Sequence, residues 1–274
     1  MSQPMSKAKD KAAKKSATSE LRDTIVVIIE ALIIAVLFRS FLYQPFSIPT
    51  ASMQSTLMIG DYFVANKYVW GYSKYSFPFL PEIIGLFENA QSGQRIFAGR
   101  IFGRDPDRGD IAVFRNEIAK EDYIKTVIGL PGDHIQMKQG RLYINGTMVE
   151  REEVATGVID KDSFGVEQPM TVYKETLPNG VTHFIQEIAD DMPLDNTPEY
   201  IVPAGHFFMM GDNRDRSQDS RVLTAVGYVP AFWLIGKAEA RFFSIKDNIA
   251  PWMLWEWPAN VRWDRMFESV YPPQ

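Results

Sequence analysis

The sequence predicts a mainly β protein: an antiparallel β-sheet body with a smaller inserted β subdomain, preceded by a single N-terminal transmembrane helix. Three observations predict it. A lysine-rich tail runs directly into a long apolar stretch, Thr24 to Tyr43. Beyond Pro45 the helical spacing of apolar residues stops, and short runs rich in β-branched and aromatic residues take over. Those runs are punctuated by Gln139-Gly140, Asn145-Gly146 and Pro178-Asn179-Gly180, the residue pairs that tight hairpins require.

The tail, residues 1–23, carries six Lys/Arg and three Asp/Glu, a net charge of +3. With −5 over all 274 residues, the remainder carries −8. An acidic body argues against a nucleic-acid partner, whose affinity rests mainly on neutralising phosphates, and the apolar stretch after the basic tail suggests a membrane instead. Positive charge before an apolar segment predicts a cytoplasmic N-terminus and an exported body. The segment over 24–43 is long enough to cross a hydrocarbon core of about 30 Å at about 1.5 Å per residue. Arg39 near its far end can snorkel to the interface. Glu30 in mid-span would cost about 3 kcal/mol if charged, so it is expected as a protonated carboxyl tolerated by an apolar helix. A cleavable leader would want a shorter core and small residues after it, whereas the flank reads Arg-Ser-Phe-Leu-Tyr-Gln-Pro-Phe. An uncleaved anchor is therefore expected.

In the body, strands are expected over Asp61–Val69, Asp110–Arg115, Tyr123–Leu130, Thr171–Lys174, Thr182–Glu187, His206–Met210 and Leu234–Phe243. The expected division is 44–133 with 205–250 as one β domain, 134–204 as an acidic, turn-rich insertion and 251–274 as a tail. Residues 77–107 read as an irregular excursion. The insertion holds no constellation that reads as catalytic. Asn145-Gly146-Thr147 fits a glycosylation sequon, but a tight turn explains it better. The tail holds four of the six tryptophans: Trp252, Trp255, Trp257 and Trp263. Tryptophan suits the membrane boundary, and it equally suits packing over a sheet.

There is no cysteine, which excludes disulfides, thiolate metal sites and a cysteine nucleophile. With only His134, His183 and His206, a histidine-rich metal site is not expected, and no cofactor is implied. Lys125 stands as a lone cation in the apolar run Tyr123 to Leu130. Burial disfavours a charged amine. Lowering its pKa from about 10.4 towards 7–8 takes roughly 4 kcal/mol, after which it can take a proton from a serine hydroxyl. A lysine snorkelling from a strand edge fits the same residues. Ser47 to Leu57, with Ser52, is a Ser/Thr-rich loop just after the anchor. Gly211 to Arg221 is dense in charge. A calcium loop fails there, because no Gly stands sixth from Asp212 and Leu223 stands twelfth. A salt-bridged loop of Arg214, Asp215, Asp219 and Arg221 is the plainer reading.

Taken together and in order, these segments resemble the bacterial type I signal peptidase family. The serine segment with Met53 after Ser52, then Asp61 to Lys67, Arg108 to Asp133 and Gly211 to Arg221 are similar to its four sequence boxes. The resemblance implies a Ser/Lys-dyad serine endopeptidase of the inner membrane, single-pass, with its β body on the periplasmic side. It implies Ser52 as nucleophile, Lys125 as general base, and the Ser52 N–H with the Thr50 hydroxyl as oxyanion hole. Ser217 would orient the amine, Tyr123 would neighbour the pocket, and Asp219 with Arg221 would form a supporting ion pair. Implied partners are secretory preproteins with small residues at −1 and −3, membrane lipid and the secretion translocon. The chain departs from the pattern at Gln54-Ser55, where the second residue is often proline, and at Thr126, where arginine is common. A Ser-x-x-Lys acyltransferase fails, since that spacing occurs only at Ser6–Lys9 in the tail, and Gly-x-Ser-x-Gly is absent. The self-cleaving SOS-repressor group shares such a dyad, but it is soluble and DNA-binding, which the anchor opposes.

Overall fold

A computed structural model describes residues 5–77, 100–161, 164–246, 249 and 252–271, with side chains from residue 19 onward. The lysine side chains of the tail and most of the 77–107 excursion lie outside the described residues.

Helix α1 spans Met5–Phe41, a stretch without Gly or Pro. Its apolar part, Ser19–Phe41, is 23 residues long and can cross a membrane by length and composition. Among the described residues it is largely uncovered: Leu32 and Ile34 are 60% and 66% exposed. The helix stops two residues short of the expected Tyr43. Pro45 lies just ahead and cannot continue a helix, and Tyr43–Ser47 forms strand β1, with Tyr43 opposite Asn66.

Thirteen further strands are described: β2 (Asp61–Asn66), β3 (Ile111–Asn116), β4 (Glu121–Gly129), β5 (His134–Lys138), β6 (Arg141–Ile144), β7 (Thr147–Met148), β8 (Glu150–Lys161), β9 (Glu167–Thr176), β10 (Thr182–Glu187), β11 (Tyr200–Ile201), β12 (His206–Met210), β13 (Val229–Pro230) and β14 (Leu234–Ser244). They form a seven-stranded sheet in the order β1-β2-β14-β3-β4-β12-β13, a four-stranded sheet β11-β5-β6-β7 and a three-stranded sheet β10-β9-β8. All named strand pairs are antiparallel. The turns sit where their residue types demand. Asn145 and Gly146 both take positive φ between β6 and β7, as Gln139 and Gly140 do between β5 and β6. Gly180 closes the β9–β10 turn by donating to the Leu177 carbonyl at 2.8 Å.

Burial fixes which strands hold the centre. From Lys125 to Gly129, β4 is buried on both faces. Ile128 packs with Ile135, Leu142 and Phe208 on one side, and Val127 with Phe114, Phe207 and Met209 on the other. A third cluster, Ile48, Met53, Leu57, Phe63 and Val113, locks the Ser47–Leu57 loop into the interior. Each fully buried large side chain contributes about 1.5–3 kcal/mol. The loop is thus part of the core and cannot drift from the sheet.

Beyond β14 the tail packs back on the body. The short helix α2 (Trp257–Asn260) sets Trp257 against Phe243, with ring centroids 4.8 Å apart. Arg265 donates to Asp61 at 2.6 Å, and Val270 is buried in the core.

Candidate active site

Strand pairing brings three distant segments to one place. Lys125 lies opposite Ala112 in the β3–β4 ladder. Strand β12 pairs with β4, with Met210 opposite Thr126, so the loop that follows β12 lies beside the lysine. In that loop the Asn213 N–H donates to the Ser52 carbonyl at 3.1 Å. Gly211 is required here, since a Cβ on it would come within 2.2 Å of Ser217 Oγ and 2.5 Å of the Ser52 carbonyl oxygen. Ser52 itself sits in a buried 3-10 turn, Ala51–Met53, entered from Thr50 in extended geometry.

The Lys125 amine is 2.7 Å from Ser52 Oγ and donates to the Ile124 carbonyl at 2.9 Å. The lysine is 3% exposed. Burial pulls its pKa from 10.5 down to about 8, Arg221 adds to that pull, and Asp219 and Asp212 oppose it. Thr50 Oγ1 stands 3.5 Å from Ser52 Oγ. The Tyr123 ring faces the amine at 5.6 Å, within cation–π range. Asp219 and Arg221 form a fully buried ion pair at 2.9 Å. Burial works against the Asp219 charge, but Arg221 more than offsets it and holds that carboxyl below its ordinary range.

Other expected placements differ. Ser217 is buried against Gly211, and its Oγ makes no hydrogen bond to the Lys125 amine, whose contacts are Ser52 Oγ and the Ile124 carbonyl. Arg214 does not pair with Asp215; it pairs with Glu175, while Asp215 accepts the backbone N–H groups of Ile188 and Ala189. The arginine pairs with the more deeply buried carboxylate, Glu175, which is 2% exposed and needs a cation beside it.

Residues 134–204, where the sequence displays no constellation, contribute His183 and Glu175 behind a carboxylate at the site, Asp212. Asp212 accepts Thr126 Oγ1 at 2.7 Å and Thr56 Oγ1 at 2.5 Å, so one carboxylate touches both the lysine strand and the serine loop. Behind it lies His183, 3.3 Å from Asp212 and 3.0 Å from Glu175. Burial opposes charge on this ring, but the two carboxylates raise its pKa to about 9. Glu175 falls to about 2, as Arg214 and His183 overcome its burial. His183 and Glu175 face each other across the β9–β10 hairpin, and the groups that bury and pair them, Asp212 and Arg214, are distant in sequence, so no local pattern marks them.

Above the Ser52–Lys125 pair opens a cleft of about 260 Å³ with Phe46, Phe63, Val113 and Ile124 as apolar wall and Glu121, Asp122 and Arg216 among its polar lining. Among the described residues no cluster of potential ligands fits a metal ion.

A buried hydroxyl and a buried, proton-poor amine on the floor of a cleft are the equipment of the serine endopeptidases, hydrolases that need no metal in the reacting set. The family model described as signal peptidase, peptidase S26, matches residues 21–243, and the chain belongs to that family. Signal peptidase I of Rickettsia typhi is 40% identical over 260 residues, spanning 87% of this chain and 89% of the relative, and that of Rickettsia conorii gives the same figures. A solved signal peptidase I from Enterococcus faecalis V583 is 24% identical, covers 49% of this chain and 97% of its own, and has a TM-score of 0.29.

Proposed function

We propose that this chain is a membrane-anchored endopeptidase that removes signal peptides from exported preproteins, with Ser52 as nucleophile and Lys125 as general base. The observation that carries the reading is the 2.7 Å approach of a buried amine to a serine hydroxyl. A depression from 10.5 to about 8 corresponds to about 3 kcal/mol favouring the neutral amine. In that form the Ser52 hydroxyl donates its proton to the amine as its oxygen attacks the scissile carbonyl. The developing oxyanion is met by the Ser52 N–H, which lies in the first turn of a 3-10 helix where N–H groups lack an intrahelical acceptor, and by the Thr50 hydroxyl. The protonated lysine then gives its proton to the leaving amine, leaving an acyl-enzyme on Ser52. A water deprotonated by Lys125 attacks the ester and restores both groups.

The narrow apolar cleft fits small side chains at −1 and −3, and the outer edge of β1 offers backbone groups for an extended peptide to pair with. Tyr123 and the Asp219–Arg221 pair serve as walls and supports of the amine, and Ser217 packs against Gly211 in the loop beside it. The exposed apolar helix α1 anchors the protein, with the basic tail in the cytoplasm and the body on the periplasmic side of the inner membrane, in contact with lipid and beside the translocon.

Ser52→Ala and Lys125→Met should each lower preprotein cleavage in detergent by at least about 10⁴-fold, with an unchanged circular dichroism spectrum. Either variant turning over normally while folded would refute the dyad.

A further inference from the structure

Strand β8 inverts the usual rule of burial. Its Val154, Val158 and Ile159 are 53%, 41% and 64% exposed, while a carboxylate, Asp160, is the one buried residue among its twelve. A buried carboxylate needs donors, and this one has four. Its Oδ1 accepts Gln54 Nε2; its Oδ2 accepts Gln186 Nε2 at 2.8 Å, Asn213 Nδ2 at 3.3 Å and Arg216 Nη1 at 3.2 Å. The four donors belong to the parts around Ser52. Gln54 is two residues beyond it, and Asn213 holds the Ser52 carbonyl through its backbone N–H. Gln186 exchanges backbone hydrogen bonds with the same loop, donating to Asp212 and accepting from Arg214. Arg216 lines the cleft, and its second nitrogen is held by Gln168 at 3.0 Å, directly across the β8–β9 ladder from Asp160.

We propose that Asp160 is a positioning residue for the reaction: through Gln54 and Asn213 it fixes the Ser52 loop against Lys125, and through Arg216 it keeps one wall of the cleft in place. This rests on the Ser52/Lys125 reading. It also gives Gln54 a role: its amide is one of the donors that the buried carboxylate requires. A shift of about 1 Å in a reacting group costs about 100-fold in rate. The carboxylate is therefore placed where it governs turnover without touching substrate.

The test uses the full-length chain in detergent with a preprotein substrate. Asp160→Ala should lower kcat about 10- to 100-fold with KM within about threefold of wild type. Gln54→Met, which keeps the side chain's bulk and removes its donors, should lower kcat in the same range. The decisive reading is the pair together. If both act through one link, Asp160→Ala/Gln54→Met should be no slower than Asp160→Ala alone, whereas independent destabilisation would multiply the two losses. Asp160→Asn, which keeps an acceptor oxygen for Gln54, should recover part of kcat. Multiplicative losses, or wild-type kcat in folded Asp160→Ala and Gln54→Met, would overturn the proposal. Should Asp160→Ala not fold, Gln54→Met and Asp160→Asn decide it alone: normal turnover in both overturns it. Turnover by Ser52→Ala would instead sink the dyad itself, whatever Asp160 does.

Discussion

Two lysines in this fold have lost much of their affinity for a proton, and only one can use the loss. Burial pulls both Lys67 and Lys125 to about 8. The Lys67 amine, fully buried, bonds the Ser76 carbonyl, which has no proton to give. The Lys125 amine faces a hydroxyl. The base must be neutral, so kcat/KM should rise with pH through about 8 and level above it, and Lys67→Met should leave that limb where it is. A flat profile from pH 6 to 9 would contradict Lys125 as base. The same depression has a stability cost. The folded pKa lies below the unfolded one, so the cost is fully present below pH 8 and fades as pH rises towards 10.5. Lys125→Met should therefore raise stability by up to about 3 kcal/mol at pH 7, and the gain should shrink in melts at pH 10. At this scale the sequence is legible only in part. Residue types alone leave Lys125 divided between a base and a snorkelling side chain, and order along the chain supplies the rest. The partners of Arg214 and Asp215 are hidden, because neighbours in sequence are not the nearest charges in space.

The loop that carries Ser52 is held at its far end by backbone geometry. Ser55 has φ +102, a left-handed conformation for a residue with a Cβ, and its hydroxyl donates to the Phe184 carbonyl on β10 at 2.8 Å. Proline fixes φ near −65°, so a proline cannot take this serine's place without moving the loop. Ser55→Pro should cost about 3 kcal/mol or more and most of the activity, while Ser55→Gly should keep the fold. Thermal melts and initial rates on the two variants check this; equal behaviour would mean that the loop conformation does not matter. Strand elements with two-sided burial or clear hairpin residues are readable beforehand: β10 and β12 match their expected bounds to the residue. Strand β8 is not, because eleven of its twelve residues keep some exposure and give no alternation to read. Strand β1 is masked by the anchor, whose apolar character runs on into it.

At the scale of the whole molecule, helix α1 and the C-terminal tail are among the exposed apolar parts of the described residues. The tail's tryptophans divide between the two roles that the sequence leaves open. Trp257 packs on Phe243, while Trp252, Trp255 and Trp263 are 75%, 72% and 61% exposed, with Leu254 and Phe267 beside them in sequence also exposed. Single exposed apolar residues need no explanation, but several exposed indole rings on a protein with an exposed apolar helix of membrane-spanning length point to the lipid boundary. Truncating the tail is a poor test. It would also remove Arg265, which pairs with Asp61 and donates to the Thr56 carbonyl behind the Ser52 loop, and Val270, which fills the core. Substituting the outward rings avoids both losses. In full-length protein reconstituted into liposomes with brominated acyl chains, tryptophan emission should be strongly quenched. Trp252→Ser/Trp255→Ser/Trp263→Ser should lose most of that quenching with its melting temperature within about 3 °C of wild type, since exposed side chains contribute little to stability. Emission that is quenched equally in the triple variant, or in wild type only by a water-soluble quencher, would place these rings in water and leave α1 as the sole membrane contact.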